Sequence, residues 1–240
     1  MFIGMGMPIP DLSNLPGVSR PGGGGGGAFE YTAIDNSFSM EFDGANSYFN
    51  AGTDLFTGST ISSISISCWI KSTVGSGNAI VSKDLTTSGN RNFLFQIASG
   101  NLYWQHSTNG SSLSQLIVNQ STYNVIDGNW HNIVVTYEAG STSGTAEKKI
   151  YIDGEVRATD PAATLVNIFN TISVPIEIGR RGDGLRYFNG NLDEIAFWST
   201  KLSESTIQAI YDATANNPGK VADLSETPEG APTAWYRMGD

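Results

Sequence analysis

Between Phe38 and Trp198 the chain repeatedly alternates apolar and polar side chains, a period of two that predicts half-buried β-strands. Phe38, Met40 and Phe42 alternate with Ser39 and Glu41. Ile64, Ile66, Cys68 and Ile70 alternate with Ser63, Ser65, Ser67 and Trp69. Ile133, Val135 and Tyr137 alternate with Asn132, Val134 and Thr136. Further strands are read at 92–97 and 102–106, separated by Ser99-Gly100-Asn101, and at 176–179 and 192–198. The runs 149–153 and 155–158 flank Asp153-Gly154, a hairpin signal because both turn positions need positive φ. One helix is predicted at about 203–213. Ser203 is its N-cap, Glu204 complements the helix dipole, and Leu202 can staple onto Ile207. Ile207, Ile210 and Tyr211 give it a narrow apolar stripe. A last strand follows at 234–238. Strands with one apolar face must stack in pairs to bury it. The expected fold is therefore all-β: a two-sheet antiparallel sandwich with one short C-terminal helix, preceded by an extended N-terminal arm.

Residues 1–27 differ in kind. They hold four prolines, three methionines and the run Gly22–Gly27, with neither strand nor helix periodicity. The expected division is a docking arm at 1–21, a glycine-rich linker at 22–36 and the sandwich at 37–240. The arm carries Phe2, Ile3, Met5, Met7, Ile9, Leu12, Leu15 and Arg20, anchor residues for burial on a partner protein. The chain stops at Gly239-Asp240, at the end of a strand, so more protein is expected to follow.

Composition narrows the function classes. The net charge of −10 disfavours binding to a phosphate backbone, so no nucleic-acid partner is expected. The single cysteine, Cys68, cannot form an internal disulfide. No apolar run approaches the ~18 residues of a membrane span, and no basic start followed by an apolar stretch marks a signal peptide. The only histidines are His106 and His131, and there is no Gly-x-Ser-x-Gly elbow or zinc-spaced Cys/His cluster. The glycine run lacks the Lys-Ser/Thr ending of a phosphate loop. Retaining glycoside hydrolysis wants two carboxyl groups about 5–5.5 Å apart. The nearest candidate is Asp193-Glu194, and adjacent strand residues point to opposite faces. No catalysis is expected.

Five stretches in order carry a family pattern: SISCWIKS at 65–72, DGNWHNIVVTYE at 127–138, KIYIDGEVRA at 149–158, IEIGRRGDG at 176–184 and FNGNLDEIAFWSTKLSESTIQAIYD at 188–212. They resemble the laminin-G-like, pentraxin-related superfamily of concanavalin-type jelly rolls, over roughly residues 37–240. The resemblance implies two sheets of six or seven strands, with Trp69 and Trp130 as core residues. It also implies two ligand classes. Calcium needs six to eight loop oxygens. The candidates are Asp43, Asp84, Asp183 and Asp193, each of which a turn-capping role also explains. No cofactor is required, and Ca2+ is the candidate ion. Glycans stack on exposed aromatics, and the candidates are Tyr103, Trp104 and His106 on one strand. Tyr103 and Trp104 point to opposite faces, so at least one is exposed. Arg181-Gly182-Asp183 is read as a glycine-flanked turn rather than an adhesion tripeptide.

The proline- and glycine-rich arm before such a domain is similar in layout to virion proteins of tailed bacteriophages: capsid decoration proteins, head fibres and tail fibres. That layout implies docking to a capsid or other virion protein through residues 1–27, assembly in the host cytoplasm, display of the sandwich toward host surface polysaccharide, and gain from a homo-oligomer's repeated copies. The alternatives are a secreted or cell-surface lectin-like adhesin and a polysaccharide-active enzyme.

Overall fold

A computed structural model of the chain describes residues 31–140, 147–160 and 166–238. In chain order the strands begin with β1 (Ala33–Asp35), β2 (Met40–Asp43), β3 (Phe49–Gly52), β4 (Thr60–Ile61), β5 (Ser63–Lys71) and β6 (Asn78–Asp84). They continue with β7 (Arg91–Ala98), β8 (Asn101–His106), β9 (Ser114–Val118), β10 (Trp130–Glu138), β11 (Glu147–Ile152) and β12 (Glu155–Asp160). After β13 (Ile168–Phe169), β14 (Ile176–Ile178) and β15 (Asn189–Trp198) come the helix α1 (Glu204–Ala215), β16 (Lys220–Ala222) and β17 (Ala234–Tyr236).

Two antiparallel sheets form the sandwich. The first runs β12-β11-β10-β5-β15-β17, with β2 also paired to β15; the second runs β3-β14-β6-β7-β8-β9. The alternation sets the faces. Ile64, Ile66, Cys68 and Ile70 of β5 meet Ile133, Val135 and Tyr137 of β10 on the inner face of the first sheet, opposite Phe93, Phe95, Leu102 and Trp104 from the second. Burying each aliphatic or Phe side chain of this cluster stabilises the fold by about 1.5–3 kcal/mol.

The outer face of the first sheet is also covered. Ser203 caps α1 by accepting from Thr206 N at 3.2 Å. Leu202, Ile207 and Ile210 lie with Val134, Ala196 and Trp198 in a second apolar cluster between helix and sheet. Trp69 and Trp130 are buried, but in this outer layer rather than between the sheets. Tyr211 of α1 stacks on Trp69 with ring centroids 6.1 Å apart. β1 pairs with β16 beside the helix, and Tyr31 joins the same cluster. The folded body thus takes in residues 31–36, which the pattern of the sequence assigned to the linker. Phe38 is a second departure: it lies outside β2 and is exposed.

The turn chemistry follows expectation. Asp153 and Gly154 have φ of 54° and 75°, joining β11 to β12, and Ser99 and Gly100 at 49° and 78° join β7 to β8. Gly179, at φ 78°, has a second role. A Cβ there would sit 2.3 Å from the Phe42 ring.

Candidate functional site

Of the three aromatic-strand candidates, the structure leaves one outside. Trp104 and His106 point into the sandwich, at 0% and 1% exposure. Trp104 Nε1 donates to the Thr136 carbonyl at 3.2 Å, and its ring packs against Phe93. The His106 ring lies 4.5 Å from that of Tyr137, with Lys148 Nζ 3.4 Å from Nδ1. Burial and then the Lys148 charge push this imidazole down to about 3, so it is neutral. Neither side chain can reach a glycan. The alternation that buries them turns Tyr103 outward, where it is half-buried.

Tyr103 belongs to the outer face of the six-stranded sheet. Register places Gln96, Tyr103 and Ile117 side by side on β7, β8 and β9, and Ser82, Leu94, Gln105 and Gln115 in the adjoining row. The amides form a chain. Arg186 Nη1 donates to Gln96 Oε1 at 3.0 Å, Gln96 Nε2 to Gln105 Oε1 at 2.6 Å, and Gln105 Nε2 to Gln115 Oε1 at 3.3 Å. At the far side of the face, Glu177 of β14 accepts from Arg180 Nε and Nη2 at 2.8 and 2.5 Å. The Arg180 guanidinium lies 3.4 Å from the centroid of the exposed Tyr48 ring, and its Nη1 donates to Tyr187 Oη. Leu185 is 58% exposed beside Arg186. Aromatic and aliphatic surface thus alternates with fixed polar groups, an arrangement able to hold a flat polyhydroxylated ring. The sequence flagged Tyr103 here, and Tyr187 as an aromatic near a loop. Glutamines carry no motif: register sets Gln105 opposite Gln115 on β9 and diagonally from Gln96, which itself lies opposite Tyr103.

The calcium candidates are engaged with the protein. Asp43 accepts from the backbone N–H groups of Ala45, Asn46 and Ser47 at 2.9, 2.9 and 3.0 Å, which holds its carboxyl well below the usual range. Asp84 binds Arg91 Nε and Nη2 and the Thr86 N–H. Asp183 takes a two-pronged bond from Arg181 at 2.9 and 2.6 Å, so the Arg-Gly-Asp triplet closes on itself. Asp193 is fully buried and accepts from Asn36 Nδ2 and Glu194 N. Among the described residues no group of three or more His, Cys, Asp or Glu is placed to hold a metal ion.

Asp193 and Glu194 depart from the expected geometry. A bulge between Asp193 and Ala196, with Glu194 at φ 49°, lets both carboxylates face the layer under α1. They do not form a hydrolytic pair, because both are buried and bound. Glu194 accepts from Trp235 Nε1 at 2.6 Å and Arg237 Nε at 3.3 Å. The adjoining cavity, lined by Asn36, Trp69, Trp130, Asp193 and Thr214, is ≈ 10 Å³, about one water and far too small for a sugar.

His131 sits between two carboxylates, with Nδ1 2.8 Å from Asp153 and Nε2 3.2 Å from Asp127. Burial alone lowers its pKa, but Asp153 and then Asp127 outweigh it and raise it. Asp153 also accepts from Tyr123 Oη and Asn132 N, so the imidazole ties the 123–129 segment to the β11–β12 turn.

The anchor candidates Phe2, Ile3, Met5, Met7, Ile9, Leu12, Leu15 and Arg20 lie outside the described residues.

Comparison with solved structures agrees with this architecture. A Bacteroides ovatus protein to which carbohydrate binding has been ascribed superposes with a TM-score of 0.58 at 16% identity, over 87% of this chain and 52% of its own. The ligand binding domain of botulinum neurotoxin serotype D, solved with N-acetylneuraminic acid, gives 0.54 at 18% identity, over 79% and 45%. A heptameric SAP-like pentraxin from Limulus polyphemus gives 0.50 at 17% identity, over 71% and 80%. The chain spans about half the length of the first two. No curated protein sequence matches it. Residues 43–208 match the model of the Laminin_G_3 family, and the chain therefore belongs to the concanavalin A-like lectin/glucanase superfamily.

Proposed function

We propose that this chain is a non-catalytic carbohydrate-binding module whose outer six-stranded face takes the glycan. The observation that carries this reading is the row of outward groups around Tyr103: a half-buried aromatic beside Ile117, Gln105, Gln115 and Arg186, with the amides already held by one another. Rigid aromatic and polar groups of this kind bind with little ordering cost. The buried candidates and the ≈ 10 Å³ cavity under α1 offer no comparable surface. Family membership fits a binding role and also includes glucanases, so catalysis is tested directly. Incubation with laminarin- and alginate-type polysaccharides is expected to release no reducing ends; measurable hydrolysis would overturn the non-catalytic reading in favour of the polysaccharide-active alternative. Binding is read by affinity electrophoresis in gels containing polysaccharide. Tyr103→Ala is expected to abolish retardation with no loss of folding, and unchanged retardation would remove Tyr103 from the site. Chelator is expected to leave retardation unchanged; a loss on adding it would assign Ca2+ a role.

In this reading the module is displayed on a phage virion as a capsid decoration, head-fibre or tail-fibre protein. Residues 1–27 dock into a capsid or other virion protein, and the glycine run is the spacer. The composition of the arm supports this: apolar anchors followed by Gly22–Gly27. Repeated copies would raise weak glycan binding by avidity. A secreted or cell-surface adhesin is the alternative, and deletion of residues 1–27 separates the two. The virion reading expects loss of incorporation with the sandwich still folded.

A further inference from the structure

We propose that the outer face of the six-stranded sheet selects acidic glycans, with Arg186 as the anion-recognition residue; this rests on the carbohydrate-binding reading of that face. Four arginines cluster at its edge. Three are neutralised in place: Arg180 by Glu177 at 2.5 Å, Arg181 by Asp183 at 2.6 Å and Arg91 by Asp84 at 3.1 Å. Among the described residues, Arg186 has no carboxylate within ion-pair distance, and Asp183 and Asp84 act on it only from further away. It is thus the surplus positive charge of the cluster, in a protein of net charge −10.

The fold holds this charge in place. Arg186 adopts φ 57°, a left-handed conformation uncommon for a side chain of this size. Its carbonyl accepts from Ala79 N at 3.0 Å, and the turn before it is closed by the Arg181–Leu185 bridge. The side chain then reaches onto the sheet face to Gln96.

That one bond sets the polarity of the whole amide chain. A guanidinium has no acceptor, so Gln96 must turn its oxygen to Arg186 and its nitrogen to Gln105. Gln105 must in turn donate to Gln115. The chain ends on the Gln115 amide nitrogen, on the exposed part of the edge strand β9. Gln96 is buried and the Gln105 amide oxygen keeps a lone pair beside its spare N–H, so the donor excess lies at the two ends of the chain: the Gln115 amide nitrogen and Arg186, which keeps most of its five N–H groups. The face is therefore richest in donors at those ends. Such a face suits a ligand that supplies acceptors and negative charge: a uronate or sialate carboxylate, or a sulfate ester, seated on Arg186 while a sugar ring lies on Tyr103 and Ile117. Arg suits this task because its fork matches the two oxygens of a carboxylate.

The test is affinity electrophoresis and calorimetry of the full chain with three probes: polygalacturonate (a polyuronate), dextran sulfate and neutral dextran. Binding to an acidic probe is expected to exceed dextran by at least about tenfold, the scale of one charge-assisted hydrogen bond. The excess should fall with added salt. Arg186→Asn keeps a residue that tolerates the left-handed conformation; it should reduce acidic binding to the dextran level. Arg186→Lys, which keeps the charge but loses the fork, should recover part of the preference. Unchanged circular dichroism and melting temperature in either variant shows the sandwich intact, and the two variants are read separately so that one misfolding does not remove the test. The relative affinity of the two acidic probes distinguishes carboxylate from sulfate recognition. Equal affinity of the wild type for dextran and the acidic probes, or a preference retained in Arg186→Asn, overturns the proposal and leaves the binding face standing. Absence of binding to any glycan overturns both.

Discussion

Position within the strand decides what each side chain on β8 does. Trp104 and Tyr103 are neighbours, yet one fills the sandwich core and the other faces outward. Their substitutions should separate cleanly. Trp104→Ala is expected to cost about 3–5 kcal/mol of stability, the range for emptying a large aromatic site, measured by chemical denaturation. Tyr103→Ala should leave stability nearly unchanged and remove glycan binding. The two histidines make opposite pH predictions. The native pKa of His131 is raised, so its contribution is full below its unfolded value of about 6.5 and is lost as pH rises through the native value. His106 is depressed to about 3, so its contribution is full above about 6.5 and is lost as pH falls toward 3. The melting-temperature difference between wild type and His131→Gln should therefore shrink as pH rises above about 6.5. A difference that grows over that range would contradict the two-carboxylate account.

Among the elements, the strands read most easily are those with one face in the core and one outside it. β5 and β10 announce themselves by alternation, and the Asp153-Gly154 turn by its residues. β6 does not. Asn78–Asp84 is buried along its whole length, including Ser82, Lys83 and Asp84, so no polar phase survives to mark it. β9 is also hidden, because Ser114–Val118 is a short edge strand whose two faces do not contrast strongly. The helix was legible from its cap. Ser203→Ala should destabilise the protein by about 1 kcal/mol, because Thr206 N loses its acceptor. The bulge at Asp193–Ala196 was not legible, and it reverses the inference that adjacent carboxylates face apart. Gly179→Ala should be far more damaging than the cap variant, since its Cβ would meet the Phe42 ring at 2.3 Å in a left-handed backbone.

At the scale of the whole molecule, the described residues cover one sheet on both sides and the other on its core side and, beside the 181–186 loop, over Ser82, Leu94 and Gln96. The first lies between the core and α1, β1 and β16; the second has the core on one side and an outer face bearing Tyr103, Gln105, Gln115, Ile117 and Arg186 on the other. The two-sheet architecture could be read from alternation and the ordered motifs. The site could not, because glutamines acquire their meaning only when register sets them side by side. The most direct measurement is chemical-shift mapping of the isotopically labelled protein titrated with a glycan it retains. Shifts are predicted to concentrate at Tyr103, Gln105, Gln115, Ile117 and Arg186. Shifts confined to the α1 side or to loops away from the six-stranded sheet would contradict the account.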